Sequence, residues 1–142
     1  MEKKITVIPA TKPFPKIEKV GIYCRVSSPS GAQLHSLAAQ ASYLTKYVMS
    51  HPGWYLADIY LDVESGSSTA GREEFNRMID DAKKGNIDLI ITKSISWFGR
   101  DTEETIISIR TLSALGVYVF FEADNLNSSS PETVHYNRNR IA

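Results

Sequence analysis

The sequence is poor in cysteine, and this scarcity limits the chemistry available to the chain. Cys24 is the sole cysteine among 142 residues, so the chain has no internal disulfide framework. Its position inside an apolar run predicts a buried core residue rather than a reactive thiol. No cluster of histidine and cysteine has the spacing of a metal site, and no glycine-rich Walker pattern is present. We therefore expect a reducing, cytoplasmic environment and no cofactor.

Long hydrophobic runs and an excess of one charge are also missing. No apolar run approaches the roughly 18 residues that a membrane span needs. The segment "ITVIPA" is too short and too interrupted by proline to be the core of a signal peptide. Lys+Arg and Asp+Glu both count 16, so the formal net charge is zero. We expect no membrane partner, and if the chain acts on DNA, it should bind DNA weakly on its own.

The chain divides into a leader, a central region and a tail. Residues 1–18 are predicted to be an extended leader, because "MEKKITVIPATKPFPK" contains three prolines and four lysines. Residues 19–127 alternate strand-like and helix-like patterns and are predicted to form one domain. Residues 128–142 show neither periodicity, so an irregular and poorly ordered tail is expected there.

The central region predicts an α/β fold. The apolar runs "KVGIYCRV", "WYLADIYLD", "IDLIIT" and "VYVFF" have the length and composition of strands. Between them, apolar residues recur at three- and four-residue steps, as expected for helices with one buried face. In the first helix these residues are Leu34, Leu37, Ala38, Ala41, Leu44 and Val48. Strands separated by helices of this length indicate a mostly parallel sheet of four or five strands, with helices on both faces.

Polar residues follow three of the predicted strands, at the edge where such sheets bind ligands. They are Arg25, Ser27, Asp62, Ser96 and Arg100, with Arg72 nearby at the start of a helix. Several guanidinium groups around a hydroxyl suit phosphoryl transfer to serine, because each guanidinium binds two phosphate oxygens and stabilises the charge of the transition state. The pattern alone leaves another interpretation open, in which the serines form a turn and the arginines make surface salt bridges.

The motif "YCRVSS", beginning at Tyr23, resembles the Tyr-x-Arg-x-Ser signature of the serine recombinases, the family of resolvases, invertases and large serine integrases. The similarity extends over Val20–Asn127. It includes "DVESGSSTAGREEFNRMIDDAKKGNIDLIITKS", then "ISWFGRD", and glutamines at Gln33 and Gln40. The leader rich in lysine and proline is also similar to those of large serine recombinases from bacterial mobile elements.

This resemblance implies a function in site-specific DNA recombination. Ser27 would attack a DNA phosphodiester, forming a 5′-phosphoseryl link and releasing a 3′ hydroxyl, and resealing would need neither ATP nor a metal. Arg25 and Arg72 would clamp the phosphate, with Arg100 beside them. The partners implied are double-stranded DNA and further copies of the chain, in a dimer or a recombining tetramer.

The resemblance also assigns supporting roles. Asp62 would orient an arginine or move a proton, although it could instead be a solvated aspartate at a strand end. Tyr23 would offer its hydroxyl to the site or serve only in packing. Gln33 and Gln40 would support the site or form an ordinary polar helix face, and Ser96 would make a secondary contact.

Two departures from the family pattern limit this inference. Trp97 stands where the family has an arginine, and an indole cannot replace a bidentate phosphate clamp. Beyond residue 130, "PETVHYNRNRIA" shows no amphipathic helix and no DNA-binding domain follows, so we expect either a truncated product or a fragment. The alternative function is a catalytically inactive interaction module or a remnant of a mobile element. A small-ligand domain of the response-regulator type is disfavoured, because Arg25 stands where such domains have acidic residues.

Overall fold

The computed structural model describes residues 17–64, 72–98 and 101–129, and for Ser96 and Trp97 it describes the backbone alone. Most of the predicted leader and tail, residues 1–16 and 130–142, therefore lies outside the described residues. The described strands are β1 (Glu18–Val26), β2 (Trp54–Val63), β3 (Leu89–Thr92), β4 (Tyr118–Phe121) and β5 (Leu126–Asn127). The described helices are α1 (Gly31–Met49), α2 (Glu73–Lys83), α3 (Ile95–Phe98) and α4 (Thr102–Ala114). None of these helices is long and apolar enough to cross a membrane.

The strands form one sheet in the order β2-β1-β3-β4-β5. The pairs β1–β2, β1–β3 and β3–β4 are parallel, and β5 pairs antiparallel with β4. The chain leaves β1 to form β2 on one side and then returns to form β3 on the other side. The predicted α/β class, with a mostly parallel sheet of four or five strands, is confirmed.

Side chains alternate between the two faces of the sheet and build two separate cores. On one face, α1 contributes Leu37, Leu44 and Val48, which pack on Val20, Ile22 and Cys24 of β1. On the other face, α2, α3 and α4 pack on Tyr23 of β1, Tyr60 of β2 and residues of β3 and β4. The helices therefore cover both faces, as the strand and helix patterns predicted.

The ends of the helices are fixed by local chemistry. The Ser30 hydroxyl accepts from the N–H of Gln33 and caps α1, while Asp101 accepts from the N–H of Glu104 and caps α4. Gly85 and Gly116 have φ angles of 78° and 79° just beyond α2 and α4. This left-handed conformation favours glycine, so both residues suit the end of a helix.

The buried stripe of α1 is narrower than the sequence predicted. Leu37, Leu44 and Val48 are buried, but Leu34 and Ala38 are exposed. The stripe that contacts the sheet begins at Leu37, so Leu34 lies in the turn before the packed part of the helix. Ala38 is adjacent to Leu37 and is rotated about 100° away from the sheet. The prediction that these two residues are buried was therefore wrong.

Candidate active site

Ser27 directly follows β1, at the point where the order of the strands reverses. β2 lies on one side of β1 and β3 on the other. In open parallel sheets a crevice forms beyond the carboxyl ends of the strands at such a switch point, and ligands bind there. The Ser27 side chain is exposed to solvent, whereas the strand residues before it are buried. The serine is therefore accessible at the position where this architecture binds ligands.

The two-residue spacing of the motif has a structural consequence. Tyr23 and Arg25 are two residues apart in β1, so they lie on the same face of the sheet, the one covered by α2, α3 and α4. Cys24, between them, lies on the α1 side. The register of β1 and β2 pairs Arg25 with Asp62. Arg25 of the motif and Asp62 of the next strand are therefore neighbours in the sheet.

Asp62 is buried and binds the start of α2. Its Oδ2 accepts hydrogen bonds from the Tyr23 hydroxyl at 2.8 Å and the N–H of Phe75 at 3.0 Å, while its Oδ1 accepts from the N–H of Glu74 at 3.0 Å. These N–H groups are in the first turn of the helix, where they have no partner within the helix and where a negative charge is favourable. With 3% of its surface exposed, Asp62 is not the solvated strand-end aspartate of the alternative interpretation.

The carboxyl ends of β1, β2 and β3 form an edge of the sheet that is called here the rim. Arg72, at the start of α2, is also buried. Its Nη1 donates to the Tyr23 hydroxyl at 2.9 Å and its Nη2 donates to the Phe98 carbonyl at 3.1 Å. Its Cζ is 3.9 Å from the centre of the Phe75 ring, and Glu104 approaches its Nη2 to 3.9 Å. Hydrogen bonds and the aromatic ring thus offset the cost of burying this charge. Asp62, Tyr23 and Arg72 form one connected chain, called here the Asp62–Tyr23–Arg72 network.

Arg25 pairs with a residue that the sequence analysis did not single out. Its Nη2 donates to Oε1 of Glu64 at 2.5 Å, and the two side chains are 10% and 28% exposed. The Nε of Arg25 is buried and has no hydrogen-bond partner among the residues that the structure describes. Arg25 therefore retains a buried donor that Glu64 does not satisfy.

The protonation of the two buried residues at the end of β1 follows from their surroundings. Burial raises the pKa of Tyr23 well above its usual range, and the charge of Arg72 opposes this rise while that of Asp62 adds to it. Tyr23 is thus a neutral phenol that donates to Asp62 and accepts from Arg72. Burial raises the pKa of the Cys24 thiol to about 12. Cys24 is a buried, protonated thiol, as predicted.

The two predicted glutamines lie on α1, on the other face of the sheet from the Asp62–Tyr23–Arg72 network. The backbone N–H of Gln33 donates to the Ser30 hydroxyl in the helix cap. Gln40 is half-buried and lines a shallow cavity of about 270 Å³, together with Ser36, Tyr43 and Lys93. The structure therefore does not bring either glutamine into contact with Tyr23, Asp62 or Arg72.

The remaining predicted residues follow β3. The backbone of Ser96 and Trp97 lies in α3, but their side chains, and Arg100 as a whole, are outside the described residues. Their assigned roles therefore stay predictions.

Sequence reasoning missed two carboxylates, Glu64 and Glu104. Glu64 stands two residues after Asp62, so the alternation of the strand was a signal that it shares a face with Arg25 and Asp62. Glu104 belongs to the cap sequence that begins at Asp101, and its approach to Arg72 depends on how α4 packs against α2. No local pattern could have indicated that contact.

Comparison with known structures gives the same fold. A resolvase family site-specific recombinase from Streptococcus pneumoniae superposes with a TM-score of 0.75 and 27% identity, covering 89% of this chain and 86% of that chain. The N-terminal catalytic domain of the TP901-1 integrase gives 0.67 and 22%, covering 85% and 89%. The C-terminal catalytic domain of ISC1926 TnpA, an IS607-like serine recombinase, gives 0.63 and 22%, covering 73% and 70%. At 22% identity the last two likenesses show the fold alone. No curated protein matches the chain.

The chain thus has the fold of a resolvase-type catalytic domain, with an exposed serine at the switch point of its mostly parallel sheet. The family model described as "Resolvase, N terminal domain" matches residues 20–136, and the chain belongs to this family. The resemblance read from the motifs is thereby confirmed, and it places the chain in site-specific recombination in general.

Proposed function

We propose that residues 19–127 are the catalytic domain of a site-specific recombinase, with Ser27 as the nucleophile. The observation that carries this proposal is the exposed hydroxyl of Ser27 two residues after the buried Arg25, at the carboxyl end of β1. A serine in this position reaches substrate, while the arginine before it is fixed by the strand. The substrate is double-stranded DNA, handled in the cytoplasm by a dimer or tetramer of the chain.

The proposed reaction conserves the energy of the phosphodiester bond in a covalent link between Ser27 and the DNA. The Ser27 Oγ attacks phosphorus and loses its proton, the bond from phosphorus to the 3′ oxygen breaks, and the departing oxygen takes up a proton. The product is a 5′-phosphoseryl link and a free 3′ hydroxyl. Attack of a 3′ hydroxyl on the same phosphorus reverses the step and reseals the strand.

The arginines supply charge stabilisation in this reaction. Arg25 and Arg100 bind non-bridging phosphate oxygens, where fixed guanidinium groups stabilise the transition state. The positive charge of Arg72 acts together with those of Arg25 and Arg100 from a buried position, where the Asp62–Tyr23–Arg72 network holds the Arg72 side chain. Ser96 contributes a secondary contact, and Gln40 supports the rim from α1.

A second function is a non-catalytic interaction module of the same fold. Two observations favour it. Trp97 replaces an arginine of the family pattern, and both amino nitrogens of Arg72 are already used by the Tyr23 hydroxyl and the Phe98 carbonyl. Loss of one preorganised stabiliser of a developing oxyanion costs on the order of 10²–10³ in rate.

Covalent trapping tests the proposal. The chain is incubated with a pool of nicked duplexes of randomised sequence, and adducts are isolated and sequenced on both the protein and the DNA. We expect a phosphonucleotide on Ser27, its loss in Ser27→Ala, and its retention in Ser28→Ala, the matched control. An adduct that survives Ser27→Ala would refute Ser27 as the nucleophile.

The Trp97→Arg variant separates the two functions. If Trp97 limits an otherwise competent site, this change should raise the yield of the Ser27 adduct about 10- to 100-fold, somewhat less than a native stabiliser supplies. Initial rates of adduct formation measure the effect. Absence of adduct in both the wild type and Trp97→Arg would favour the non-catalytic module.

A further inference from the structure

The guanidinium of Arg25 is occupied by a carboxylate of the chain itself. Glu64 lies within hydrogen-bond distance of Nη2 of Arg25, the guanidinium to which the proposed function assigns phosphate oxygens. A carboxylate and a phosphate are alternative anionic partners of one guanidinium. Both are negatively charged, so a carboxylate and a phosphate at the same guanidinium also repel each other.

The position of Glu64 is set by the backbone. Its N–H donates to the carbonyl of Val26 at 2.9 Å, which continues the β1–β2 ladder beyond the paired residues Val26 and Val63. Glu64 is thereby placed across from Ser27, and its side chain begins at a fixed distance from the rim. The ladder fixes the backbone of Glu64, and the side chain spans the remaining distance to Arg25.

Arg25 is incompletely satisfied by this partner. Its side chain is 10% exposed, and its Nε lacks a hydrogen-bond partner within the described part of the chain. A buried donor without a partner is costly. A tetrahedral phosphate with several oxygens can accept from Nε and from Nη2 together, whereas Glu64 reaches Nη2 alone.

We propose that Glu64 is an internal competitor for the phosphate site of Arg25, and that DNA phosphate binds there by displacing the Glu64 carboxylate. This inference rests on the proposed function, because it takes Arg25 as a phosphate ligand. Glu64 thereby weakens phosphate binding until the other contacts of a bound DNA duplex add to it. Its removal strengthens the binding of phosphate at this site.

The test uses inorganic phosphate as the probe and the whole chain as the protein. The Nε–H signal of Arg25 is identified in the NMR spectrum by its loss in Arg25→Lys and is then followed during phosphate titration. Glu64→Gln and Glu64→Ala are compared with the wild type. Glu74→Gln is the matched control, because the Glu74 carboxylate also pairs with an arginine, which is Arg77 and not Arg25, and the backbone N–H that binds Asp62 is unchanged by the substitution.

We expect both Glu64 variants to bind phosphate about three- to tenfold more tightly than the wild type, since the pair is partly exposed and its contribution is moderate. Glu74→Gln should stay within about twofold of the wild type. Amide spectra of each variant establish that the fold is retained.

Unchanged or weaker phosphate binding in both Glu64 variants, with a clear titration of Arg25 in the wild type, overturns the inference and leaves the proposed role of Arg25 intact. If the Arg25 signal responds to phosphate in none of the proteins, both the inference and the proposed role of Arg25 are overturned, because Arg25 is then not a phosphate ligand. If Glu74→Gln tightens phosphate binding as much as Glu64→Gln does, the inference is also overturned, because the change in net charge alone then explains the effect.

Discussion

Tyr23 joins two charged residues that come from different elements. Its hydroxyl donates to Asp62 at the end of β2 and accepts from Arg72 at the start of α2. The ring also packs edge-on against Phe75 and Phe98. The tyrosine of the motif therefore has a stabilising function that can be measured without DNA.

Tyr23→Phe should destabilise the domain by about 1–3 kcal/mol, because it leaves an N–H of the buried Arg72 without its acceptor. Urea unfolding followed by circular dichroism measures the change. Tyr43→Phe is the control, since the Tyr43 hydroxyl bonds to Glu122 at the exposed surface and its loss should cost less than about 0.5 kcal/mol. Equal losses of unfolding free energy in the two variants would contradict a stabilising role for the Asp62–Tyr23–Arg72 network.

Cys24 offers a second test at the same scale. Burial raises its pKa to about 12, and the thiolate is the reactive form, so the folded protein should resist alkylation at pH 8. Labelling by iodoacetamide should follow the fraction unfolded across a urea titration. Fast labelling without denaturant would show that the end of β1 opens locally.

At the scale of elements, the close approach of β1 to its neighbours depends on Gly21. A Cβ at this position would lie 3.0 Å from Tyr60 Cε2 and 3.5 Å from two carbons of Ile87. Tyr60 cannot easily move, because its hydroxyl donates to Asp81 at 2.6 Å and its ring is buried. The shift of register between Val20 and Gly21 lies at the same place.

Gly21→Ala should therefore destabilise the domain by about 1–3 kcal/mol, as expected for overpacking of a core. Gly31→Ala is the matched control. A Cβ at Gly31, in the first turn of α1, has no neighbour within 4 Å, so alanine there should be neutral or stabilise by up to about 1 kcal/mol. Thermal unfolding of the two variants measures the difference in stability. A Gly21→Ala protein as stable as the wild type would show that the Tyr60 ring moves to accommodate the added methyl group.

Elements with a strong local signal were predictable, and those without one were not. The apolar runs identified four strands, and the recurrence of apolar residues at three- and four-residue steps identified helices between them. The short elements α3 and β5 have four and two residues and owe their conformation to the surrounding packing. The same division holds for the candidate site. The motif was enough to predict Ser27 and Arg25 as site residues, while the contacts that Glu64 makes with Arg25 and Glu104 makes with Arg72 depend on strand register and on helix packing.

At the scale of the whole molecule, Arg77 ties α2 to β2 through several partners. It donates to Glu74 at 2.9 and 2.8 Å and to Asp58 at 2.7 Å, and its Cζ lies 4.3 Å from the centre of the Tyr60 ring. Burial alone would raise the pKa of Asp58, but hydrogen bonds from Arg77 and from the N–H of Ile59 outweigh it and lower the pKa. The hydrogen bonds from Arg77 also lower the pKa of Glu74.

These lowered pKa values give the stability of the domain a defined pH dependence. A carboxylate whose pKa is lower in the folded state stabilises the fold above its unfolded pKa, near 4, and loses this contribution as the pH falls through the folded pKa. Arg77→Met removes the charge and retains contact with the Tyr60 ring. We expect it to cost about 1 kcal/mol at pH 7, a modest value because these side chains are 34–44% exposed. Below about pH 4 the difference from the wild type should shrink, because protonated carboxyls no longer attract a guanidinium.

Urea unfolding between pH 7 and 2.5 measures the difference in stability between Arg77→Met and the wild type, with the exposed Arg110→Met as control. A difference that is constant over this range would mean that Arg77 stabilises the domain through packing on Tyr60 and not through its ion pairs.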